Sequence, residues 1–286
     1  MPLTRKHPRS FRKMRYVYPV VSRRSGGVSI GINIYNRCSF ACVYCQVLGD
    51  TPEDVREARA ASVNLEILEQ ELRILVSMVQ SGELYEDEWF SQTPPEKRRL
   101  NDIAFSGDGE PTLSPQFFDA VEAAALVRRE LCPTETKLVL ISNATTFHVK
   151  QVAQTVDFLM QNGGEIWAKL DAGTEEFYQK ISRSNVPFEK VLQNITEISQ
   201  KHPIWIQTLF LAENGIGPGN EEISHYIERL QNIRDQQGRL HGVQVYTVAR
   251  NTPDPKIASL ENGEIDRIAD RIRAETGLTV RTFYSR

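Results

Sequence analysis

The pattern of apolar and polar positions along the chain changes repeatedly between two periods. Residues 28–34 alternate, with β-branched side chains at every second position, as in a strand with one buried face. In 65–79, apolar residues recur every three or four positions, as in an amphipathic helix that begins after Asn64. The two periods then alternate to the end of the chain. They predict strands at 102–106, 137–142, 165–170, 204–211 and 242–248, and helices at 115–131, 148–161, 175–181, 188–201, 220–236 and 261–276.

Strands that alternate with helices in this way predict a parallel sheet, since a parallel connection needs a crossover of about a dozen residues. Six such units in 286 residues favour an α/β fold of the partial (β/α)6 TIM-like barrel type over a complete eight-stranded barrel. We expect residues 28–286 to form this single domain and residues 1–27 to form an N-terminal arm. In such barrels, ligands bind at the carboxyl ends of the strands.

Three cysteines follow the first predicted strand within eight residues. Cys38, Cys42 and Cys45 have the spacing C-x3-C-x2-C, and three thiolates can hold three irons of a cubane and leave its fourth iron open to a substrate or cofactor. Structural zinc is an alternative that needs a fourth ligand. The nearest candidates, none at finger spacing, are His7, Cys132 and His148. A C-x-x-C redox pair is another alternative, and it leaves Cys38 without a role.

A second motif stands at the end of the next predicted strand. Segment 105–112 reads FSGDGEPT and contains Gly107, Gly109 and Glu110. Two glycines at a strand end let the backbone approach a ligand closely, although glycine turns are also common there. The segment lacks the spacing of a dinucleotide-binding loop.

Polar residues end the strands that follow. Ser142 and Asn143 end one, and Lys169 and Asp171 end the next, where a barrel presents ligand contacts. The alternatives are local roles: Asn143 forms a turn, Asp171 caps a helix, and Lys169 is an exposed lysine whose stem covers apolar surface. Arg250 ends the last full strand, where its guanidinium suits a carboxylate, a phosphate or a salt bridge at the rim.

The cysteine motif, with an aromatic residue before its last cysteine and a strand directly before it, resembles the radical S-adenosylmethionine (SAM) superfamily. The resemblance implies that Cys38, Cys42 and Cys45 ligate a 4Fe–4S cluster whose open iron chelates SAM. Reduction by a flavodoxin- or ferredoxin-like electron donor would then release methionine and a 5′-deoxyadenosyl radical, which abstracts a hydrogen atom from the substrate. The cofactors carry this chemistry, whereas the protein supplies orientation and a dry site.

The resemblance also implies roles for the other motifs. Tyr44 would border the adenine of SAM. The segment with Gly107, Gly109 and Glu110 is similar to the glycine–glycine–glutamate motif of the superfamily, whose backbone holds the amino group of SAM. The strand-end residues that would contact the ribose or carboxylate of SAM are Ser142, Asn143, Lys169 and Asp171.

Within the superfamily, segments 106–113, 169–175 and 246–250 look most like the wyosine-synthesis branch, which modifies a guanine in transfer RNA (tRNA). Enzymes of that branch carry further N-terminal cysteines, and none precedes Cys38 here. The resemblance therefore implies a bacterial wyosine-synthesis-like relative with one cluster. Its substrate stays unassigned, with tRNA as a candidate.

Charge is distributed unevenly along the chain. The net charge is −3, but the first 37 residues contain nine Lys or Arg and no Asp or Glu, and the remaining 25 basic and 37 acidic residues leave the rest at −12. This asymmetry predicts that the N-terminal arm contacts the phosphates of tRNA or another substrate, with Tyr16 and Tyr18 as stacking surfaces for bases. A solvated leader, or an arm that packs on the barrel or meets a protein partner, is the alternative.

Neither a secretory leader nor an apolar run of about 18 residues is found, which predicts a cytoplasmic protein with reduced thiols and no membrane span. A second class of function also stays open. In it, the chain is a non-catalytic metal- or RNA-binding module that keeps a cluster or zinc for structure.

Overall fold

The computed structural model describes residues 11–45, 62–250 and 252–285, in which strands and helices alternate as the sequence predicts. The strands are β1 Val17–Val21, β2 Val28–Ile32, β3 Leu100–Phe105, β4 Lys137–Ser142, β5 Gly164–Lys169, β6 Ile204–Glu213, β7 Leu240–Thr247, β8 Ile257–Ser259 and β9 Val280–Phe283. The helices are α1 Leu65–Ser81, α2 Phe117–Leu131, α3 Lys150–Gln161, α4 Glu175–Ser182, α5 Phe188–Lys201, α6 Asn220–Asp235 and α7 Asn262–Thr276.

The strands of this part of the chain form a sheet in the order β1-β2-β3-β4-β5-β6-β7-β9, and β8 pairs with β6. Strand β2 is parallel to β3, β3 to β4, β5 to β6, β6 to β7 and β7 to β9. Strands β1 and β8 are antiparallel to their partners. The spatial order of β2 to β7 follows the sequence, as expected for successive βα units.

The chain groups into two compact units. The first comprises Met1–Cys38, Val47–Ile141 and Val149–Glu165, and the second comprises Ser39–Gln46, Ser142–His148 and Ile166–Arg286. Each has its own buried core, with Ile30 and Leu72 in the first unit and Ile206 and Phe210 in the second. The boundary predicted between residues 27 and 28 does not coincide with a boundary of either unit.

Helix α1 shows how local sequence signals define an element. The Asn64 side chain accepts a hydrogen bond from the Ile67 N–H, and Gly82 ends the helix in the left-handed conformation at φ 89°. Leu68 and Leu72 lie on its buried face, as the helical period predicts. Among the described residues, no helix combines the length and apolar character that a membrane span needs.

Three short strands are not predicted by the sequence pattern. In β1, Pro19 lacks an N–H group and is confined to an edge strand. Among the described residues, β1 is the first strand of the sheet order and pairs with β2. Strands β8 and β9 have three and four residues, too few to show alternation. Part of the segment assigned to the N-terminal arm is therefore a strand of the sheet.

Tyr16 and Tyr18 are buried, so the prediction that they offer stacking surfaces for bases is wrong. Tyr16 is 2% exposed, and its hydroxyl accepts a hydrogen bond of 3.0 Å from the Asn64 N–H. Tyr18 is 6% exposed, and its ring fills the space beside Gly31. These aromatic rings belong to the core of the first unit although basic residues surround them in the sequence.

The described part of the basic arm already has acidic partners. The Arg12 guanidinium lies 2.9 Å from Glu83 and 3.8 Å from Asp87. Such exposed pairs contribute at most about 1 kcal/mol, so they leave the cation available to a competing anion. Residues 1–10, which include His7 and three basic residues of the arm, lie outside the described residues.

Asp102 gives the first unit a predicted dependence of stability on pH. This residue is 3% exposed, and the Ser29 hydroxyl donates a hydrogen bond to its Oδ1. Burial raises the pKa of Asp102 from 3.8 to about 6, against the opposing effect of the Ser29 hydrogen bond. Between these values the folded protein binds a proton that the unfolded chain does not. The free energy of unfolding therefore falls as pH rises through this window, by about 3 kcal/mol.

The measurement is urea unfolding of the cluster-free protein, with its thiols kept reduced, at pH 4.5 and pH 7.5. Asp102→Asn keeps an acceptor for Ser29 and removes the titration. From pH 4.5 to pH 7.5 the wild type should lose most of the free energy of unfolding that the Asp102 titration contributes, whereas Asp102→Asn should not. The variant should therefore be more stable relative to the wild type at pH 7.5 than at pH 4.5. If the free energies of unfolding of the wild type and the variant differed by the same amount at both pH values, the raised pKa of Asp102 would be wrong.

Candidate functional site

Residues 39–45 of the cysteine loop lie along the end of α4 in the second unit. The Ala41 N–H donates to the Ser182 carbonyl at 2.9 Å, and the Val43 N–H donates to the Ile181 carbonyl at 3.0 Å. These bonds also satisfy carbonyls that the helix end leaves without an intrahelical partner. The backbone between the cysteines is thus held by the protein's own helix.

Apolar side chains between the cysteines anchor the loop further. Val43 is 8% exposed and belongs to a hydrophobic cluster of the second unit. The buried members of the cluster are Val43, Ile181, Leu209, Leu211, Val248 and Ile257. The Phe40 ring also meets Tyr178 edge-on, with ring centres 5.6 Å apart. The loop residues that are not cysteines therefore supply the packing.

Asn143 binds the beginning of the same loop segment. Its Nδ2 donates to the Ser39 hydroxyl at 2.9 Å, and its Oδ1 accepts from the Thr145 N–H at 3.1 Å and from the Thr145 hydroxyl at 2.8 Å. The Ser39 and Thr145 hydroxyls are 2.8 Å apart. Asn143 thus forms a turn, as its local alternative predicts, and also holds the residue next to Cys38. Its contact with SAM stays a prediction.

The turn that follows β4 is fixed by buried polar groups. The Ser142 Oγ accepts from the Ala144 N–H at 3.0 Å. Ala144 is fully buried at φ 62°, an uncommon conformation for a residue with a side chain. The Asn194 Nδ2 donates to the carbonyls of Ala144 and Thr145 at 2.8 and 3.1 Å. Ser142 therefore has a local role, and its contact with SAM also stays a prediction.

Asp171 is the centre of a buried ionic cluster. Its Oδ1 accepts from the Lys169 Nζ at 2.9 Å and from the Leu209 N–H at 2.7 Å. Its Oδ2 accepts from the Tyr44 hydroxyl at 2.5 Å. The Asp171 side chain is 1% exposed and that of Lys169 is 13% exposed. The cluster therefore connects the cysteine loop, through Tyr44, to β5 and β6.

The protonation states follow from this arrangement. Burial, and then the charge of Asp171, raise the pKa of Tyr44 well above its ordinary value, so the phenol stays neutral and donates. Burial lowers the pKa of Lys169, but Asp171 and Tyr246 outweigh that effect and the pKa is raised. Lys169 is thus a largely buried ammonium and not an exposed lysine. Thr174 caps α4, so Asp171 is not the helix cap.

Tyr246 extends the cluster, and the sequence pattern does not identify it. The Lys169 Nζ donates to the Tyr246 hydroxyl at 2.5 Å and lies 4.8 Å from the centre of its ring. The Tyr246 hydroxyl lies 3.5 Å from the Gln207 Oε1. A glutamine inside a strand of mostly apolar residues is the signal that marks this region. Arg250 follows β7 without ending it, because the strand ends at Thr247.

In the first unit, Gly107 and Gly109 pack against the segment that precedes Cys38. A Cβ atom at Gly109 would lie 2.3 Å from the Arg37 carbonyl oxygen, and one at Gly107 would lie 2.3 Å from the Asn33 side chain. The close approach that these glycines allow is therefore between the glycine turn and the segment that precedes Cys38. A side chain at position 109 would displace the residues that lead into Cys38. The contact of both glycines with SAM stays a prediction.

Glu110 is buried beside these glycines, and its polar groups have partners. Its N–H donates to the Arg37 carbonyl at 2.9 Å. Its Oε1 accepts from the Thr112 N–H at 3.2 Å and from the Thr112 hydroxyl at 2.6 Å, which caps the 3-10 turn Pro111–Leu113. Glu110 thus ties the glycine turn to the cysteine loop. Whether it also meets SAM stays a prediction.

The four cysteines differ in solvent exposure. Cys38 is exposed, and Cys42, Cys45 and Cys132 are partly exposed. Within 11–45, 62–250 and 252–285, no three His, Cys, Asp or Glu side chains converge where one metal ion could sit. A cubane distributes its thiolates over different irons, so a cluster does not require such convergence.

Two sequence comparisons identify relatives of this chain. The family model described as the radical SAM superfamily matches residues 32–215. The GTPase Obg of Brachyspira hyodysenteriae is 22% identical over 268 residues, which are 92% of this chain and 34% of that protein. The chain therefore spans about a third of the length of this relative.

Solved structures resemble the chain over most of its length. A radical SAM methyltransferase from Sphaerobacter thermophilus has a TM-score of 0.59 at 11% identity, covering 94% of this chain and 69% of that one. Streptococcus suis SuiB, solved with SAM bound, has a TM-score of 0.57 at 11% identity, covering 92% and 49%. These similarities confirm the predicted fold class, an α/β fold of the partial TIM-like barrel type.

Proposed function

Because the chain belongs to the radical SAM superfamily, we propose that Cys38, Cys42 and Cys45 hold a 4Fe–4S cluster and that the protein cleaves SAM reductively to act on a substrate. The protein is an enzyme, and its cofactors are a 4Fe–4S cluster and SAM. When bound, these cofactors supply the 5′-deoxyadenosyl radical that abstracts a hydrogen atom from the substrate. The protein's own residues bind and orient them and exclude water.

The observation that carries this proposal is the anchored cysteine loop. Its backbone is bonded to α4, and Val43 is buried in the hydrophobic cluster. Tyr44, which stands directly before the last cysteine of the motif, is bonded to Asp171. The thiols thus extend from a backbone whose conformation is already defined. Three thiolates are the donor set that iron–sulfur clusters select, so these residues fit the group.

SAM would be bound by residues from the motifs after the cysteine loop. By the family resemblance these are Tyr44, Gly107, Gly109, Glu110, Ser142, Asn143, Lys169 and Asp171. The hydrogen bonds give a refinement for Asp171, because both of its carboxylate oxygens already accept bonds from the protein. We assign Asp171 a positioning role, in which it orients Tyr44 and Lys169 toward the cofactor.

The test is anaerobic reconstitution with iron and sulfide, followed by dithionite reduction in the presence of SAM. We expect about four irons per chain, since one cubane contains four, and formation of 5′-deoxyadenosine. This assay requires no knowledge of the substrate. Bound zinc without SAM cleavage would overturn the proposal and support the alternative, a non-catalytic metal- or RNA-binding module.

We also infer a place and partners for this enzyme. A flavodoxin- or ferredoxin-like protein would supply the electron. A cluster held by thiolates needs a reducing compartment, which supports the cytoplasm. The sequence resemblance to the wyosine-synthesis-like branch and the nine cations of the first 37 residues support tRNA as the substrate.

The tRNA proposal predicts a change in salt dependence when the end of the arm is removed. Deleting residues 1–10 removes Arg5, Lys6 and Arg9 and leaves the buried Phe11 and Met14 in place. The slope of log affinity against log salt for bulk tRNA should become shallower by roughly 0.7 to 0.9 per lost phosphate contact.

The matched control changes three exposed lysines elsewhere to glutamine, at Lys150, Lys201 and Lys256. It removes the same charge and should leave the slope close to that of the wild type. Equal slopes for the deletion, the control and the wild type would remove the arm from tRNA binding.

A further inference from the structure

Three polar side chains stand side by side on the sheet of the second unit. Lys169 on β5 is the register partner of Gln207 on β6, which is the register partner of Gln244 on β7. Register partners on parallel strands point to the same face of a sheet. Gln207 is 1% exposed and Gln244 is fully buried. A buried carboxamide is unfavourable unless its polar atoms are bonded, so this row needs an explanation.

Hydrogen bonds along the row run in one direction. The Lys169 Nζ donates to the Tyr246 hydroxyl at 2.5 Å, the Tyr246 hydroxyl donates to the Gln207 Oε1 at 3.5 Å, and the Gln207 Nε2 donates to the Gln244 Oε1 at 3.1 Å. An ammonium group has no acceptor, so Lys169 fixes the direction of the chain. Gln244 therefore turns its Nε2, a donor, toward the end of the row.

This last donor has no acceptor among the residues that the structure describes. The Gln244 Nε2 is buried and makes no hydrogen bond there. Almost all buried polar groups of native proteins have a partner, because an unsatisfied one destabilises the fold. The register continues to Arg281 on β9, but the row of hydrogen bonds ends at the Gln244 Nε2, a donor that an acceptor from outside the fold would satisfy.

We propose that Gln244, with Gln207, Tyr246 and Lys169 behind it, forms a binding site for a carbonyl or carboxylate oxygen of the substrate. The unsatisfied group at the end of this row of hydrogen bonds is a donor, so the site favours an oxygen acceptor over a cation or a donor. That this ligand is the substrate rests on the proposed function. That Gln244 binds an oxygen acceptor rests only on the contacts within the second unit.

The test uses acetate as the carboxylate probe and acetamide as the neutral carbonyl probe. Each is titrated calorimetrically into the reconstituted protein at constant ionic strength. The titration is done with and without saturating SAM, because the carboxylate of SAM could itself occupy the site and compete with the probe. Gln244→Met removes the Nε2 donor at nearly constant volume, together with the Oε1 that accepts from the Gln207 Nε2. Gln154→Met makes the same change at an exposed position on α3 and is the matched control.

We expect the wild type and Gln154→Met to bind at least one probe, and Gln244→Met to raise the Kd at least tenfold. Binding of acetate alone identifies a carboxylate, and binding of acetamide alone identifies a neutral carbonyl.

Failure of both probes to bind the wild type, or an unchanged Kd in Gln244→Met, would overturn the proposed site. Formation of 5′-deoxyadenosine is measured on the same wild-type preparation. Its absence would refute the proposed radical chemistry, and the titrations without SAM would still decide the role of Gln244.

Discussion

Replacing Cys42 with alanine should abolish both the iron–sulfur cluster and SAM cleavage. Two remaining thiolates do not hold the cubane that Cys38, Cys42 and Cys45 are proposed to hold together. We expect iron content and 5′-deoxyadenosine formation to fall to the level of the unreconstituted protein. The fold should survive, because the contacts that anchor this loop are made by the backbone of Ala41 and Val43 and by apolar side chains.

The matched control is Cys132→Ala. Cys132 follows α2, outside the motif, and burial raises the pKa of its thiol to about 11. We expect this variant to keep its iron and its SAM cleavage. Loss of iron from Cys132→Ala, or its retention in Cys42→Ala, would refute the ligand assignment.

Replacing Asp171 with alanine should strongly destabilise the second unit. The change leaves the Lys169 ammonium buried without its counter-charge and removes the acceptor of the Tyr44 hydroxyl. Breaking a buried ion pair from one side typically costs about 3 to 5 kcal/mol. Urea unfolding of the cluster-free protein measures this loss.

The matched control is Asp235→Ala, an exposed change at the end of α6, which should change the free energy of unfolding by less than about 0.5 kcal/mol.

Asp171→Asn separates the positioning role of Asp171 from its effect on stability, since it keeps an acceptor oxygen and loses the charge. If Asp171 positions Tyr44, SAM cleavage by the folded fraction of Asp171→Asn should fall, with unchanged iron content. Full SAM cleavage by Asp171→Asn would reject the positioning role.

Local patterns were sufficient to predict most of the fold. The bounds of α5, Phe188–Lys201, and of β4, Lys137–Ser142, agree with the prediction at both ends, because each is bounded by a change of hydrophobic period or by a proline. Strand β1 was missed because Pro19 interrupts its pattern and basic residues flank it. The same basic context led to the wrong prediction for Tyr16 and Tyr18, whose burial depends on tertiary packing.

The candidate site was predictable only where its residues are close in sequence. The spacing of the cysteines is local, and so is the pair Lys169 and Asp171. The bond from Tyr44 to Asp171, by contrast, joins residues far apart in the chain. The row through Gln207 and Gln244 depends on the register of β6 against β7, which no local pattern fixes.

The hydrogen bonds from Ala41 and Val43 to the end of α4 determine how the cluster is acquired. Fixing the backbone of one residue costs roughly 1 to 2 kcal/mol of conformational entropy. In this protein, the backbone of Ala41 and Val43 is already fixed when the second unit folds, before iron binds. In zinc fingers, by contrast, metal binding and folding are one event. This apoprotein is therefore expected to be preorganised for assembly, so that it can release its iron and be loaded again without unfolding.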